Sequence, residues 1–189
     1  MRSAFLALGL LALLAVNADA AAWKVDHAKS KLWFEGQWSD ETFSATFGSW
    51  DANIQFDPAN LPASKAAVTI DLGSVAADED DLTSGMKGPL GFAVRQFPQA
   101  TFVTSSIRSA GGNNYIATGA LTIHGIAKQI QLPFTLAITD ASAHMTGAVT
   151  VARTDYGVGT GSSMGMDWAS EKPVARAIRI RVDLTATKQ

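Results

Sequence analysis

Apolar and polar residues alternate through most of the chain after Trp23. Because successive side chains of a β-strand point to opposite faces, this period of two predicts strands with one buried face. The last run is the clearest, since apolar residues at 178, 180, 182 and 184 alternate with charged ones. The pattern predicts strands over residues 23–26, 31–34, 43–47, 50–56, 68–72, 101–107, 115–123, 130–138, 145–151 and 178–184.

Turn-forming residues separate these runs. Gly48-Ser49 lies where the alternation changes phase, which predicts a bend between two strand segments. The segment Asp57-Pro58-Ala59-Asn60 has turn chemistry, and the segment Gly111-Gly112-Asn113-Asn114 predicts a hairpin. We expect His124-Gly125 to turn the chain into the following strand.

One segment, residues 78–87, departs from the alternation. It begins with four acidic residues, places Leu82 and Met86 four apart, and closes with Lys87-Gly88-Pro89. Acidic residues at the start and a lysine followed by glycine at the end favour a short helix. With two apolar residues facing inward, the helix is expected to lie on the barrel surface.

The fold class that follows is all-β and antiparallel, with about eight strands and one short helix. There is no alternation of strands with long helices, which argues against a parallel sheet. Several runs reach ten residues, or about 30 Å, which is long for a compact sandwich. Eight such strands closed into a barrel can hold one small ligand. Small inward residues such as Ala45 and Gly119 leave room, whereas a packed core without a cavity fits the same pattern.

The first twenty residues have the pattern of a secretory signal peptide. Arg2 precedes an apolar run, and Ala18-Asp19-Ala20 matches a small-x-small cleavage site. The alternative, a membrane anchor, is disfavoured because the run is shorter than the roughly 20 residues that span a bilayer. We therefore expect a signal peptide over residues 1–20, one domain over residues 21–189, and a periplasmic or secreted location.

Composition narrows the function classes. The net charge is −2, so no basic excess favours nucleic acid or anionic lipid. The absence of cysteine excludes disulfides, thiol catalysis and cysteine-bound metals. The three histidines, His27, His124 and His144, lie at turns and strand starts without metal-ligand spacing. We expect them to be solvated, and we expect no enzyme, no metal site and no cofactor.

Three other polar features have both a structural and a functional interpretation. The acidic residues 78–81 lack the spacing of a calcium loop and favour a solvated helix start. The glycine-rich residues 157–165 are read as a loop at the barrel rim, with an entrance flap as the alternative. Arg153 and Asp155, expected on one face of a strand end, are read as a supporting pair; the alternative is that Arg153 meets a ligand phosphate or carbonyl.

Five motifs in order along the chain resemble the YceI-like family. They are Asp26-His27-Ala28-Lys29-Ser30, the strand pair 43–47 and 51–57, Phe97-Pro98-Gln99-Ala100-Thr101-Phe102, residues 119–125, and residues 153–159. The resemblance implies a lipocalin-like barrel, secreted or periplasmic, that binds polyisoprenoids or related amphiphiles, including quinones with isoprenoid tails. It also implies pairing as a dimer.

The chain departs from the family pattern next to the helix. Gly91-Phe92-Ala93 carries one aromatic residue where the family usually carries two and an acid, and Leu82-Thr83 replaces an Arg-Asp pair. This segment lies where the family's ligand entrance is covered. Whether residues 82–93 act as a lid is therefore a question for the structure.

The function predicted is non-catalytic binding or transport of an isoprenoid-type lipid inside the barrel. Partners would be the apolar lipid and a membrane redox or lipid-delivery protein, with no nucleic acid. The alternatives are a structural or stress-related interaction barrel without a ligand, and a hydrolase. Trp33, Trp50 and Trp168 are expected at strand crossings. The candidate ligand-binding residues are Phe43, Phe47, Met86, Leu90, Phe92, Phe102, Leu121, Phe134, Leu136, Met145, Arg153 and Ile180.

Overall fold

The computed structural model describes residues 20–160 and 174–189. Predictions about residues 1–19, about the second part of the glycine-rich segment, and about Trp168 lie outside the described residues. The described chain contains a short α-helix, α1, Asp80–Lys87. The strands are β1 Ala22–Val25, β2 Lys31–Trp38, β3 Glu41–Phe47, β4 Trp50–Gln55, β5 Lys65–Asp71, β6 Val75–Ala77, β7 Gln99–Gly111, β8 Asn114–Ile123, β9 Ile126–Ile138, β10 Ser142–Ala152 and β11 Ala177–Lys188.

The strands form a closed antiparallel barrel of eight chain passes, which confirms the predicted fold class. Three passes are kinked pairs of strands. A 3-10 turn at His27–Lys29 separates β1 from β2, and a bend at Gly48-Ser49 separates β3 from β4. A 3-10 turn at Leu72–Ser74 separates β5 from β6. The last strand closes the ring by pairing with both β1 and β2.

The hairpin turns follow the predicted chemistry. β7 and β8 are joined through Gly112 and Asn113, and Gly112 has a φ of 55°. The connection between β8 and β9 is His124-Gly125, with φ values of 53° and 71°. Two positive φ angles in a two-residue loop match the right-handed twist of the flanking strands. The non-glycine residue that accepts this conformation here is a histidine.

The barrel wall is not continuous between β9 and β10. These strands pair from Ala143↔Ile138 to Gly147↔Phe134, and the pairing stops there although both strands continue. Pro133 is the next residue of β9, and proline has no N–H to donate to a ladder. Residues 126–133 therefore pair with β8 alone, and residues 148–152 pair with β11 alone. We call this break the β9–β10 gap.

The buried apolar residues form two clusters along the barrel. One includes Phe56, Tyr115 and Phe134, near the hairpin of β7 and β8. The other includes Phe34, Phe47 and Val75, with Met86 and Phe92 from the α1 region packed against it. Within residues 20–160 and 174–189, no helix has the length and apolarity needed to cross a bilayer.

Candidate ligand cavity

An apolar cavity of about 860 Å³ runs through the barrel between the two clusters. This volume lies within the range of roughly 300–1,000 Å³ that is usual for ligand pockets. Alternate residues from Ile130 to Ile138 of β9 and from Ile178 to Ala186 of β11 line it. Eight residues of strand span about 26 Å. With a strand tilt of about 40°, the cavity is about 20 Å long along the barrel axis.

All twelve candidate residues line this cavity. For eleven of them the inward position was predicted from alternation or from a place near α1, whereas Arg153 was a candidate as the alternative to a supporting pair at a strand end. The structure brings all twelve positions together. That they contact a ligand stays a prediction. The residues are Phe43, Phe47, Met86, Leu90, Phe92, Phe102, Leu121, Phe134, Leu136, Met145, Arg153 and Ile180.

Six aromatic residues of the described cavity wall were not predicted, and one of them, Tyr156, is considered below. Phe34 alternates with the outward Trp33, so the period of two could have identified it. The others lie at strand ends or kinks, where the phase of the alternation changes. They are Trp23, Trp38, Trp50 and Phe56. Trp50 was expected at a strand crossing, and this is wrong because Trp50 lines the cavity. Trp33 lies beside Lys31 and Arg181.

Aromatic side chains close the cavity at the end near the hairpin of β7 and β8. Tyr115 packs edge to face on Phe56 and stacks on Phe134, with ring centroids 5.4 Å apart in both pairs. The indole nitrogen of Trp23 donates a 3.0 Å hydrogen bond to the carbonyl oxygen of Phe56. The two aromatic pairs contribute about 0.5–1.5 kcal/mol each beyond their buried area. This end is therefore a packed floor.

The opposite end is covered by residues 80–97, which we call the lid segment. Thr83 ties it to the wall, because its hydroxyl accepts a 2.9 Å hydrogen bond from the backbone N–H of Ala77. The backbone N–H of Gly159 donates a 2.8 Å bond to the carbonyl of Leu90. Leu82, at a position where the chain departs from the family pattern, faces the cavity. The divergent residues therefore form part of the cavity cover.

Arg153 is a buried side chain that supports the cavity rim. It is 6 % exposed and donates hydrogen bonds to the carbonyl oxygens of Val158, Val174 and Ala175 at 2.8–3.1 Å. The expectation that Asp155 shares its face is wrong, because residues Arg153–Tyr156 form a 3-10 turn that leaves Asp155 exposed. These contacts favour the supporting role over a ligand contact.

Tyr156, on the same turn, also lines the cavity and is 2 % exposed. Burial raises the pKa of its phenol above the usual value of 10, and the nearby charge of Asp155 adds to this effect. A buried phenol stays neutral because the interior penalises the phenolate. The side chain is therefore an uncharged polar group at ordinary pH.

The second arginine of the cavity wall, Arg181, is paired with Glu35. Its guanidinium lies 3.1 Å from a carboxylate oxygen of Glu35 and also stacks over the ring of Trp33. The pKa of Glu35 is lowered, first by the hydrogen bond from the Trp33 indole and then by Arg181. Both arginines of the described wall are thus already engaged by protein groups.

None of the three histidines lies on the cavity wall. Among the described residues, no three histidine, aspartate or glutamate side chains are placed to hold a metal ion. His124 differs from the expectation of a solvated ring, since it stacks on Phe97 with centroids 4.9 Å apart and its Nε2 is buried without a hydrogen-bond partner. His144 is exposed and paired with Asp183.

An eight-stranded antiparallel barrel closed at one end around an apolar cavity is the architecture of lipocalin-like ligand-binding proteins. The model of the YceI-like domain family matches residues 23–186, and the chain belongs to that family. A UPF0312 protein of Pseudomonas putida is 31 % identical over 130 residues, which cover 67 % of this chain and 68 % of the relative.

Solved structures agree with the fold. The crystal structure of Burkholderia cenocepacia BcnA has a TM-score of 0.80 at 33 % identity, covering 86 % of this chain and 99 % of that one. A polyisoprenoid binding domain from Saccharophagus degradans, implicated in plant cell wall breakdown, has a TM-score of 0.67 at 17 % identity, with 89 % and 99 % covered. At the latter identity the likeness establishes the fold.

Proposed function

We propose that this protein binds one amphiphilic lipid with an isoprenoid-type tail inside the barrel and carries or stores it in the periplasm without chemical change. The observation that carries the proposal is the long apolar cavity, whose floor is packed with aromatic rings. A wall of aliphatic and aromatic side chains matches a chain-like ligand without fixing its length. The fold shared with a polyisoprenoid binding domain supports the same ligand class.

Burial of the tail is sufficient to account for binding. About ten methylene groups at roughly 0.8 kcal/mol each contribute about 8 kcal/mol before the cost of ordering the chain. Before that cost is subtracted, this free energy sets the tightest dissociation constant that ten buried methylene groups alone could give, about 1 μM. The tail therefore supplies the main favourable contribution, and a headgroup contact can determine which lipid is chosen.

Two alternatives are less well supported by the geometry. An interaction barrel without a ligand would be expected to fill its interior, because protein cores pack to crystal-like density. A hydrolase requires convergent titratable groups, and the described cavity wall carries neither a histidine nor a nucleophile paired with a base. The periplasmic location rests on the pattern of residues 1–20, and intact mass of the exported protein tests it by showing a start near Ala21 or Trp23.

The test is binding of a prenyl chain by a plugged variant and a matched control. Ala66 lines the cavity, and Ala67, the next residue of β5, is exposed on the outer face. We expect Ala66→Phe to weaken binding of geranylgeraniol at least tenfold and Ala67→Phe to leave it unchanged. Organic extracts of the purified protein should contain a lipid identifiable by mass spectrometry. Absence of both extracted lipid and titratable uptake would refute the proposal.

A further inference from the structure

The charged groups of the cavity wall are unevenly distributed. The two arginines, Arg153 and Arg181, are held by backbone carbonyls and by Glu35, as described above. Three carboxylates also line the cavity, those of Glu41, Glu79 and Asp81, and all three residues are exposed. No ion pair links these three carboxylates to another residue in the described part of the chain.

The three carboxylates lie at the same end of the barrel, the end that carries the lid segment. Strand β3 begins at Glu41 and pairs antiparallel with β6, Ala45 lying opposite Ala77. The start of β3 and the chain that leaves β6 therefore run to the same rim. Glu79 and Asp81 follow β6 directly, at the start of α1. We call this rim the acidic mouth.

Among the described residues, no basic side chain other than Arg153 and Arg181 lines the cavity to balance the acidic mouth. The amino terminus of α1 carries a partial positive charge, and Asp80 and Asp81 already lie in its first turn. Lys87 lies at the opposite end of the same helix and does not line the cavity. In the described part of the wall, a ligand headgroup at the mouth therefore meets three carboxylates and no unengaged arginine or lysine.

From this distribution we infer that the cavity selects amphiphiles with an uncharged polar headgroup and discriminates against phosphate and carboxylate headgroups. The inference rests on the proposed function, since it concerns the headgroup of the lipid whose tail fills the barrel. The headgroup stays at the mouth, because moving a charge into the apolar interior without a partner is costly. There an anion is repelled by three carboxylates and finds no unengaged arginine in the described wall. An alcohol or a quinone ring meets neither cost.

The experiment compares two ligands that share one tail, geranylgeraniol and geranylgeranyl diphosphate. We expect the diphosphate to bind about tenfold more weakly at low ionic strength, and this ratio to shrink as salt screens the mouth. The double variant Glu41→Gln/Glu79→Gln should also bring the two affinities closer. The matched control is Asp51→Asn/Asp140→Asn, which removes the same charge from two exposed acids outside the cavity wall and should leave the ratio unchanged.

The outcomes separate the two proposals. Equal affinities, or tighter binding of the diphosphate by the unmodified protein, would overturn the selectivity while the barrel remains a lipid binder. An equal change of the ratio in both double variants would also overturn it, because the effect would then reflect overall charge. Binding of neither ligand would instead remove the proposed function itself.

Discussion

The ring of Phe92 packs edge to face on the ring of Phe34, with their centroids 5.9 Å apart, and so joins the lid segment to the barrel wall. Phe47 contacts Phe92 at the same centroid distance. One side chain of the lid thus meets two wall aromatics that come from neighbouring strands. The lid segment is held to the wall by apolar contact as well as by the hydrogen bonds of Thr83 and Gly159.

Replacing Phe92 should speed ligand release. Phe92→Ala removes two aromatic contacts that are together worth at least about 1 kcal/mol, so opening of the lid segment becomes at least about fivefold more frequent. Stopped-flow transfer of geranylgeraniol to vesicles, followed by tryptophan fluorescence, measures the rate. Val103→Ala, at a side chain that is 51 % exposed, is the control and should not change it. An unchanged rate in Phe92→Ala would show that these contacts do not limit release.

Two glycines of the lid segment should respond in opposite directions to the same substitution. A methyl group at Gly91 would collide with the carbonyl oxygens of Gly85 and Met86, and backbone atoms cannot move aside cheaply. Gly91→Ala is expected to lower the free energy of unfolding by about 2 kcal/mol. A methyl group at Gly85 would meet no atom within 4 Å, and Gly85 lies inside α1. Gly85→Ala should therefore raise the free energy of unfolding by about 0.5–1 kcal/mol. Urea unfolding tests both; equal effects would contradict the described lid conformation.

Removing the guanidinium of Arg153 should lower the free energy of unfolding more than it weakens lipid binding. Arg153→Met leaves at least three backbone carbonyls without their donors, which is expected to lower the free energy of unfolding by about 3 kcal/mol. Arg108→Met, on the exposed end of β7, should change it by less than about 0.5 kcal/mol. If Arg153→Met kept full stability and lost lipid binding, Arg153 would be a headgroup ligand instead.

Tyr156 should make the protein less stable in alkaline solution. Its pKa is raised in the folded state, so above about pH 10 the unfolded chain loses this proton first and unfolding is favoured as the pH rises. Below pH 10 both states keep the proton, and the group has no effect. Tyr156→Phe should therefore lose less stability than the unmodified protein as the pH rises above about 10. Parallel loss in the two proteins, measured by urea unfolding, would show that this phenol is not the cause.

The β9–β10 gap should be visible in amide hydrogen exchange. Residues 143–147 of β10 have a paired strand on each side, whereas residues 148–152 pair with β11 alone. Because alternate amides of a strand point to opposite neighbours, half of the amides over 148–152 have no ladder acceptor. We expect alternating fast and slow exchange there and uniform protection over 143–147. Uniform protection over both stretches would mean that the ladder continues past Gly147.

The local features of this protein are readable from the sequence because they depend on neighbouring residues. The period of two assigned the inward face of β8, β9 and β11 and so placed Leu121, Phe134 and Ile180 on the cavity wall. Glycine and proline marked the bends, including the kink at Gly48-Ser49. The acidic start and the Lys87-Gly88 end marked α1. In each case a few consecutive residues carry the whole signal.

The remaining features depend on residues far apart in the chain, and the tertiary structure alone decides them. Arg153 is buried because Val174 and Ala175, more than twenty residues later, bring their carbonyls to it. The β9–β10 gap depends on where two strands lose their common register. Whether the barrel encloses a cavity or a packed core depends on its radius, set by strand number and tilt, compared with the summed volume of all inward side chains. A pattern of neighbouring residues cannot show whether the inward side chains fill the barrel, because they come from all of its strands.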